Sequence, residues 1–390
     1  MSALKNALNI DDLRTMAQKR LPRALFEFID RGAEDDQATR SIRTALERLY
    51  IVPKVLGEDG PRSLETTLFG RKLARPFAVA PTGAIGIVTY EGEIAAARAA
   101  AKAGIPYLAS AMALTSLEDI AEKAGGDLWF QIYVFKELDP VEALMSRAER
   151  AGYHTLIVTV DSAGGSNREF NTRNHFSMPV RFTPKSVMDG MSKPGWALSV
   201  FVRTVLTSGM PRLANYPKTL QARQVGATAG PLSAMSTSNP PVTPAILKRI
   251  RDKWKGRLFV KGITRADDAL TAVECGADGV MVSNHGGRMV DTILPSIEAL
   301  PDVVAAIGDR AVVIYDGGVR RGSDIYKALA LGAKLVLLGR APIWGTTVAG
   351  EAGALHAFNL LSNELMRLMY QTGCVTIGDI TADRVRWSKS

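Results

Sequence analysis

One recurrence constrains the fold of this chain more than any other feature. From residue 76 onward, short runs rich in Val, Ile and Leu alternate with longer, alanine-rich amphipathic segments. Runs of that kind suit strands buried on both faces of a parallel sheet, and the segments between them have the periodicity of crossover helices. Eight runs are legible, at residues 76–82, 105–110, 128–134, 155–161, 258–262, 279–284, 311–317 and 335–339, with helices expected over, for example, 91–103 and 139–151. Eight β/α units predict an α/β protein whose sheet closes into a (β/α)8, or TIM, barrel. A doubly wound open sheet is the alternative, but it would want a Gly-x-Gly-x-x-Gly turn after an early strand, and the sequence has none.

Two stretches break the rhythm. Residues 1–75 carry expected helices at 11–20 and 23–31 and a short strand at 64–69, and are read as an N-terminal helical cap on a barrel spanning 76–390. Residues 164–244 form a long insertion after strand 4, far beyond the roughly two to six residues of an ordinary βα loop. Insertions at that face of a barrel act as lids or partner surfaces. Within it, residues 195–206 are apolar with one cation, and Lys185, Lys193 and Arg212 flank them. That make-up suits a membrane interface and equally a segment packed on the barrel or on a neighbouring subunit. From 221 to 244 Gly, Ala, Ser, Thr and Pro predominate, as in a mobile linker.

Composition removes several classes. With 390 residues, 46% of them hydrophobic and 22% charged, the chain can bury a large core. Cys275 and Cys374 are too far apart in sequence to suggest a metal knuckle, and His154, His175, His285 and His356 are scattered, so no metal site is expected and a reducing compartment fits. No basic-then-apolar leader opens the chain and no run of apolar residues is long enough to span a bilayer, so a cytoplasmic protein is expected, peripheral on the inner face of the membrane if 195–206 docks there. The net charge of +9 favours anionic partners, but the cations are spread rather than clustered with aromatic residues, which argues against nucleic acid.

In such barrels chemistry gathers at the C-terminal strand ends. The residues there are Pro81-Thr82-Gly83, Ser110, Gln131 and Tyr133, Thr159-Val160-Asp161, Lys261, Ser283-Asn284-His285-Gly286-Gly287-Arg288, Asp316-Gly317-Gly318-Val319-Arg320 and Gly339-Arg340. The hexapeptide sets a base and a fixed cation three residues apart, so that a guanidinium can hold a small acid by its carboxylate while an imidazole takes a proton. The glycine turns that close on Arg320 and Arg340 suit a phosphate. These residues leave open a non-redox, phosphate-binding isomerase or lyase, and a turn in which His285 only bonds backbone.

Taken together, the motifs resemble the flavin-dependent 2-hydroxy acid oxidase and dehydrogenase family over nearly the whole chain. The resemblance rests on Leu21-Pro22, Gly32-Ala33-Glu34-Asp35, Trp129-Phe130-Gln131-Ile132-Tyr133, Thr159-Val160-Asp161 with Arg168, Lys261-Gly262 and the three turns at strands six to eight. Residues 176–215, with Met178-Pro179, Asp189-Gly190, Pro194, Trp196 and Gly209-Met210-Pro211, are most similar to the (S)-mandelate dehydrogenase branch.

The resemblance implies an enzyme that oxidises an (S)-2-hydroxy acid to the 2-oxo acid with hydride transfer to FMN. His285 would be the base, oriented by an anionic Asp161, while Arg288 and Arg168 would hold the substrate carboxylate and Tyr133 its hydroxyl. Lys261 would face the N1–C2 edge of the flavin. FMN would lie against Pro81, Thr82, Gly83, Ser110, Gln131, Thr159, Lys261 and Ser283, with its phosphate at Asp316, Gly318, Arg320, Gly339 and Arg340. One position departs from the family: Phe28 stands where a tyrosine usually helps hold the substrate carboxylate, a hydrogen bond worth about 1.5–3 kcal/mol if nothing replaces it. Gly165 and Met112 replace bulkier residues of glycolate-type relatives. An aromatic or bulky, mandelate-like substrate is therefore expected, with a lactate- or glycolate-type oxidase as the alternative. No Cys-x-x-Cys-His haem sequence occurs, so electrons are expected to leave to oxygen or to a membrane quinone. The family also implies a homotetramer.

Overall fold

The computed structural model describes residues 3–57, 59–177, 180, 182–216 and 239–388. Its centre is a closed ring of parallel strands: β1 (Phe77–Val79), β2 (Tyr107–Ser110), β3 (Leu128–Tyr133), β4 (Thr155–Thr159), β5 (Arg257–Ile263), β6 (Gly279–Ser283), β7 (Val312–Asp316) and β8 (Leu335–Leu338). Neighbours run in chain order, with β8 pairing β1 to close the ring, so the open-sheet alternative is excluded. Each strand falls on one of the eight apolar runs, and the helices expected at 91–103 and 139–151 are Gly92–Lys102 and Asp139–Arg150.

Strand periodicity separates stability from chemistry. Successive side chains alternate between the helix-facing and the inward-facing side of a strand. The lower inward positions, among them Leu108, Trp129, Ile157, Phe259, Met281 and Ile314, form one apolar cluster, with Trp129 stacked on Phe259 at 5.4 Å. A hairpin, Thr66–Leu68 with Arg71–Leu73, seals the lower end with Leu68 and Leu73. Two residues further along the same strands the inward positions turn polar: Ser110, Gln131, Thr159, Lys261, Ser283 and Asp316, all buried. The barrel is thus packed below and functional above.

The N-terminal segment forms α1 (Ile10–Arg20), α2 (Arg23–Asp30) and α3 (Gln37–Arg48). Ile10, Leu13 and Ala17 share a core with Ala357, Phe358 and Leu361, in the second part of the C-terminal helical segment Arg340–Thr372, which is broken at Ala349 and Gly350. Neither α3 nor the antiparallel pairing of Leu49–Ile51 with Val385–Trp387 was anticipated. The first carries only a few apolar residues among charges, and the second joins short strands more than 300 residues apart in sequence. The strand expected at 64–69 is one arm of the hairpin.

The insertion after β4 is partly helical. Glu169–Arg173 and Pro184–Met191 precede Pro194–Trp196, which continues through a π-helical turn, Ala197–Val202, into Arg203–Ser208. One side is packed: Trp196 and Val200 are buried, and the Trp196 indole donates to Ile87 O at 2.9 Å. The other side leaves Leu198, Val202 and Leu206 exposed. No helix among the described residues is long and apolar enough to cross a membrane. The linker expected over 221–244 lies largely outside the described residues, and a helix, Pro244–Lys253, starts at its end.

Candidate active site

Two hydrogen-bonded arcs are built from the polar strand ends. In the first, Ser110 Oγ donates to Gln131 Oε1 and Gln131 Nε2 donates to Thr159 Oγ1, each at 2.8 Å. Strand register places the first pair, since Ser110 lies opposite Gln131, and the long Gln131 side chain reaches Thr159, two residues beyond its own partner Ile157 on β4. In the second arc, Lys261 Nζ donates to Ser283 Oγ at 2.8 Å and pairs with Asp316 Oδ2 at 2.9 Å, and Ser283 Oγ donates to the same oxygen at 2.7 Å. Burial works against the Lys261 ammonium, but Asp316 and Asp161 outweigh it and hold the group above its ordinary value.

The hexapeptide after β6 is a tight turn. His285, Gly286 and Gly287 all take left-handed backbone, with φ of 57°, 64° and 73°. Glycine is needed at the second and third positions for space as well as conformation: a Cβ on Gly286 would meet Arg340 Nη1 at 3.0 Å and one on Gly287 would meet Thr39 N at 2.9 Å. The turn fixes the imidazole with Nδ1 at 3.1 Å from Asp161 Oδ1 and 3.3 Å from Oδ2. Gly262 makes room for that carboxylate, because a Cβ there would lie 2.5 Å from Asp161 Cγ. Burial lowers the affinity of His285 for a proton; Asp161 opposes this and Lys261 adds to it, and the net shift is downward. Burial alone would raise the Asp161 carboxyl, yet the charge and hydrogen bond of His285, with Lys261, bring it below its ordinary value. The pair therefore rests as a neutral imidazole beside an anionic carboxylate, the arrangement of a general base with an orienting partner.

Four guanidiniums complete the upper end, Arg340 buried and the other three half-buried, each anchored by carbonyls. Arg168 donates through Nε and Nη2 to Arg288 O, at 3.3 and 3.1 Å, and through Nε to Ser166 Oγ at 3.0 Å. Arg288 Nη1 bonds the carbonyls of Phe28, Ile29 and Arg31 at 2.8, 3.2 and 3.0 Å. Arg340 uses all three nitrogens on Ile29 O, Gly286 O and Arg31 O. Among the described residues the Arg320 guanidinium donates only to its neighbour Val319 O, at 3.2 Å, which leaves most of its N–H groups for a ligand. Burial, aided by mutual repulsion, pushes Arg168 down to about 10 and Arg320 down to about 9. A site that gathers four guanidiniums, none bonded directly to a carboxylate among the described residues, is made for anions.

A single cleft brings the expected residues together. Phe28, Pro81, Thr82, Gly83, Tyr133, Arg168, Lys261, His285, Arg288, Asp316, Gly318, Arg320, Gly339 and Arg340 line it. Ser110, Gln131, Thr159 and Ser283 are buried beside it in the two arcs, and Asp161 stands behind His285. Met112 and Gly165 also face the cleft. Sequence reasoning missed Ser166, which fixes Arg168, and Phe176, Leu213 and Tyr216, by which the insertion walls the cleft. Phe176 meets Phe28 with ring centroids 4.8 Å apart. Their only local signal is apolar or aromatic character within an irregular stretch.

The model of the FMN-dependent dehydrogenase family matches residues 17–387. The chain belongs to that family. It is 38% identical to (S)-mandelate dehydrogenase of Pseudomonas putida over 97% of this chain and 94% of that one, and 36% identical to L-lactate dehydrogenase of Pectobacterium atrosepticum over 95% of each. Among solved structures it resembles a monotopic membrane protein, (S)-mandelate dehydrogenase, with a TM-score of 0.89 and 37% identity over 98% of this chain and all of that one. A mandelate oxidase bound to a fluorinated hydroxy acid follows at a TM-score of 0.80 and 32% identity over 97% and 98% of the two chains.

The protein is thus an FMN-dependent enzyme of the 2-hydroxy acid dehydrogenase family, and its donor set fits the cofactor. The Ser110–Gln131–Thr159 arc has hydroxyl and amide groups that would suit a flavin edge, Lys261 would supply a cation, and Arg320 with the Gly317-Gly318 turn would supply donors for a phosphate. Arg340 bonds three carbonyls and keeps one N–H on each terminal nitrogen, so it would add charge and at most two donors near a phosphate.

Proposed function

We propose that this enzyme oxidises an aromatic or otherwise bulky (S)-2-hydroxy acid to the 2-oxo acid. The reading is carried by the neutral His285 backed by Asp161 in a cleft that also holds Arg168, Arg288 and the Phe28–Phe176 pair. The substrate carboxylate lies between Arg168 and Arg288, whose carbonyl anchors leave Arg168 Nη1 and Arg288 Nε and Nη2 for it. Tyr133, whose phenol is held protonated by burial and by the charge of Asp161, donates to the substrate oxygen. His285 takes a proton from the substrate hydroxyl or α-carbon, and Asp161 stabilises the imidazolium that results. FMN, when bound, is the two-electron acceptor. The substituent on the α-carbon packs against Phe28, Phe176, Met112 and Leu213.

Steady-state rates across glycolate, lactate, 2-hydroxyoctanoate and both mandelate enantiomers test this. (S)-Mandelate is expected to have the highest kcat/KM, and a preference for glycolate would overturn the assignment. Phe28→Tyr is expected to raise kcat/KM for lactate about tenfold, by returning one hydrogen bond to a charged group, while changing mandelate turnover less. In the structure the Arg288 guanidinium stands 5.4 Å from the Phe28 ring, so a phenol there has a cation to work beside.

Electrons then pass to a membrane quinone rather than to oxygen. Support comes from the exposed face of the insertion, where Met188, Met191, Leu198 and Leu206 are open to solvent beside Lys185 and Lys193. A structural neighbour, moreover, is described as monotopic. The full chain is expected to sediment with vesicles containing anionic lipid, and the double substitution Leu198→Ser with Leu206→Ser to release it while leaving turnover with a soluble dye intact. Rapid reoxidation of the substrate-reduced enzyme by oxygen would favour the oxidase reading instead.

A further inference from the structure

The C-terminal end of α2 is a meeting point of like charges. Arg288 and Arg340 share two acceptors there: both donate to Ile29 O, at 3.2 and 3.1 Å, and both to Arg31 O, at 3.0 and 3.2 Å. Ile29 O belongs to the last turn of the helix, whose partly negative end favours cations but carries only about half a charge, and Arg31 O to the extended residue that caps it. On the other side of Asp30, Arg14 and Arg320 approach one indole, with their Cζ atoms 6.0 and 4.3 Å from the Trp344 ring. Arg14 grips Asp30 with two parallel bonds, Nε to Oδ1 at 2.6 Å and Nη2 to Oδ2 at 2.7 Å. Asp30 is largely buried, with its side chain 12% exposed. Its negative charge acts on Arg288, Arg320 and Arg340 alike, opposing the loss of their protons that burial favours. Asp36 and Asp316 add to it at Arg340 and Asp11 at Arg320, but Asp30 is the carboxylate common to all three.

We propose that Asp30, held by Arg14, is the resident counter-charge of this arginine cluster: it keeps the guanidiniums together in the FMN-free protein and, by the same charge, limits how tightly the FMN phosphate binds. This rests on the reading that Arg320 and Arg340 face the phosphate. The role is electrostatic positioning, since Asp30 is not among the residues lining the cleft.

The opposing signs of the two partners make the proposal testable. Asp30→Asn and Arg14→Gln break the same ion pair, so a mere staple between α1 and α2 would weaken FMN binding in both. A counter-charge predicts opposite outcomes. With FMN removed from the full-length protein and its rebinding followed by quenching of flavin fluorescence, Asp30→Asn tightens Kd about three- to tenfold and Arg14→Gln loosens it by a similar factor. Both differences shrink as salt is raised. Thermal unfolding adds an independent measure: Asp30→Asn lowers the midpoint of the FMN-free protein and narrows or reverses that deficit once FMN is bound. Shifts of Kd in the same direction, or no shift in either variant, overturn the proposal. Arg320→Gln separates its failure from failure of the phosphate assignment: unchanged FMN affinity in that variant removes the assignment itself, whereas weakened affinity alongside same-sign shifts removes only the role of Asp30.

Discussion

His285→Gln is expected to lower kcat by about 10²–10⁴-fold while FMN stays bound. The imidazole is the neutral, titratable base in the cleft, its Nδ1 engaged with Asp161 at 3.1 Å, so Nε2 is the atom left to accept a proton. Glutamine keeps a polar side chain on the same left-handed turn but has no basic nitrogen. The flavin spectrum should be unchanged, because His285 reaches the cofactor arcs only through its backbone N–H on Ser283 Oγ, at 3.0 Å. The pH profile carries the same reasoning further. Since burial and Lys261 outweigh Asp161, His285 stays deprotonated below its usual 6.5, and the acid limb of kcat/KM should lie below that value. Asp161→Asn removes the contribution that raises the imidazole, so the limb should move lower still while the plateau rate falls. A plateau within tenfold of wild type in His285→Gln would sink the mechanism.

Lys261→Met is expected to reduce FMN affinity by about 10²-fold or more and to destabilise the protein. Lys261 is 3% exposed and contacts Ser283 and Asp316 at 2.8 and 2.9 Å. Without it the Asp316 carboxylate stays buried with no paired cation, a situation that costs about 3–5 kcal/mol. The flavin also loses the positive charge beside it. Flavin retention through ultrafiltration, together with the thermal midpoint, measures both effects. The double variant with Asp316→Asn should recover part of the stability, because the unpaired charge is gone, but not the affinity. Wild-type flavin retention in Lys261→Met would show that the ammonium plays no part in holding the cofactor.

Legibility in the sequence followed the range of the interactions. The barrel could be read because each strand announces itself within a handful of residues, through β-branched apolar runs between amphipathic helices. The candidate site residues could be read for the same reason: closing such a sheet forces strand ends to one rim, which places Tyr133 and Lys261, while Asp161 and His285 lie just past their strands and are set by the turns that carry them. Where the sequence reading stopped, contacts join distant segments. The pairing of Leu49–Ile51 with Val385–Trp387 has no local signature, and the packing of Phe176 on Phe28 depends on how the insertion folds back. The stretch 195–206 illustrates the limit: its composition suited both a packed and an exposed surface, and the helix presents both, with Trp196 buried and Leu206 open.

By itself, then, the sequence determined the eight-stranded barrel and which chemical groups stand at its strand ends, because periodicity and chemical type are local properties of the chain. Only the tertiary structure decided how the charges are shared. It set Arg340 on the carbonyls of Ile29, Gly286 and Arg31, tied Lys261 to Asp316, and brought Asp30 of α2 into the field of the arginine cluster. The Coulomb interaction depends on distance and burial, and neither exists until the chain has folded.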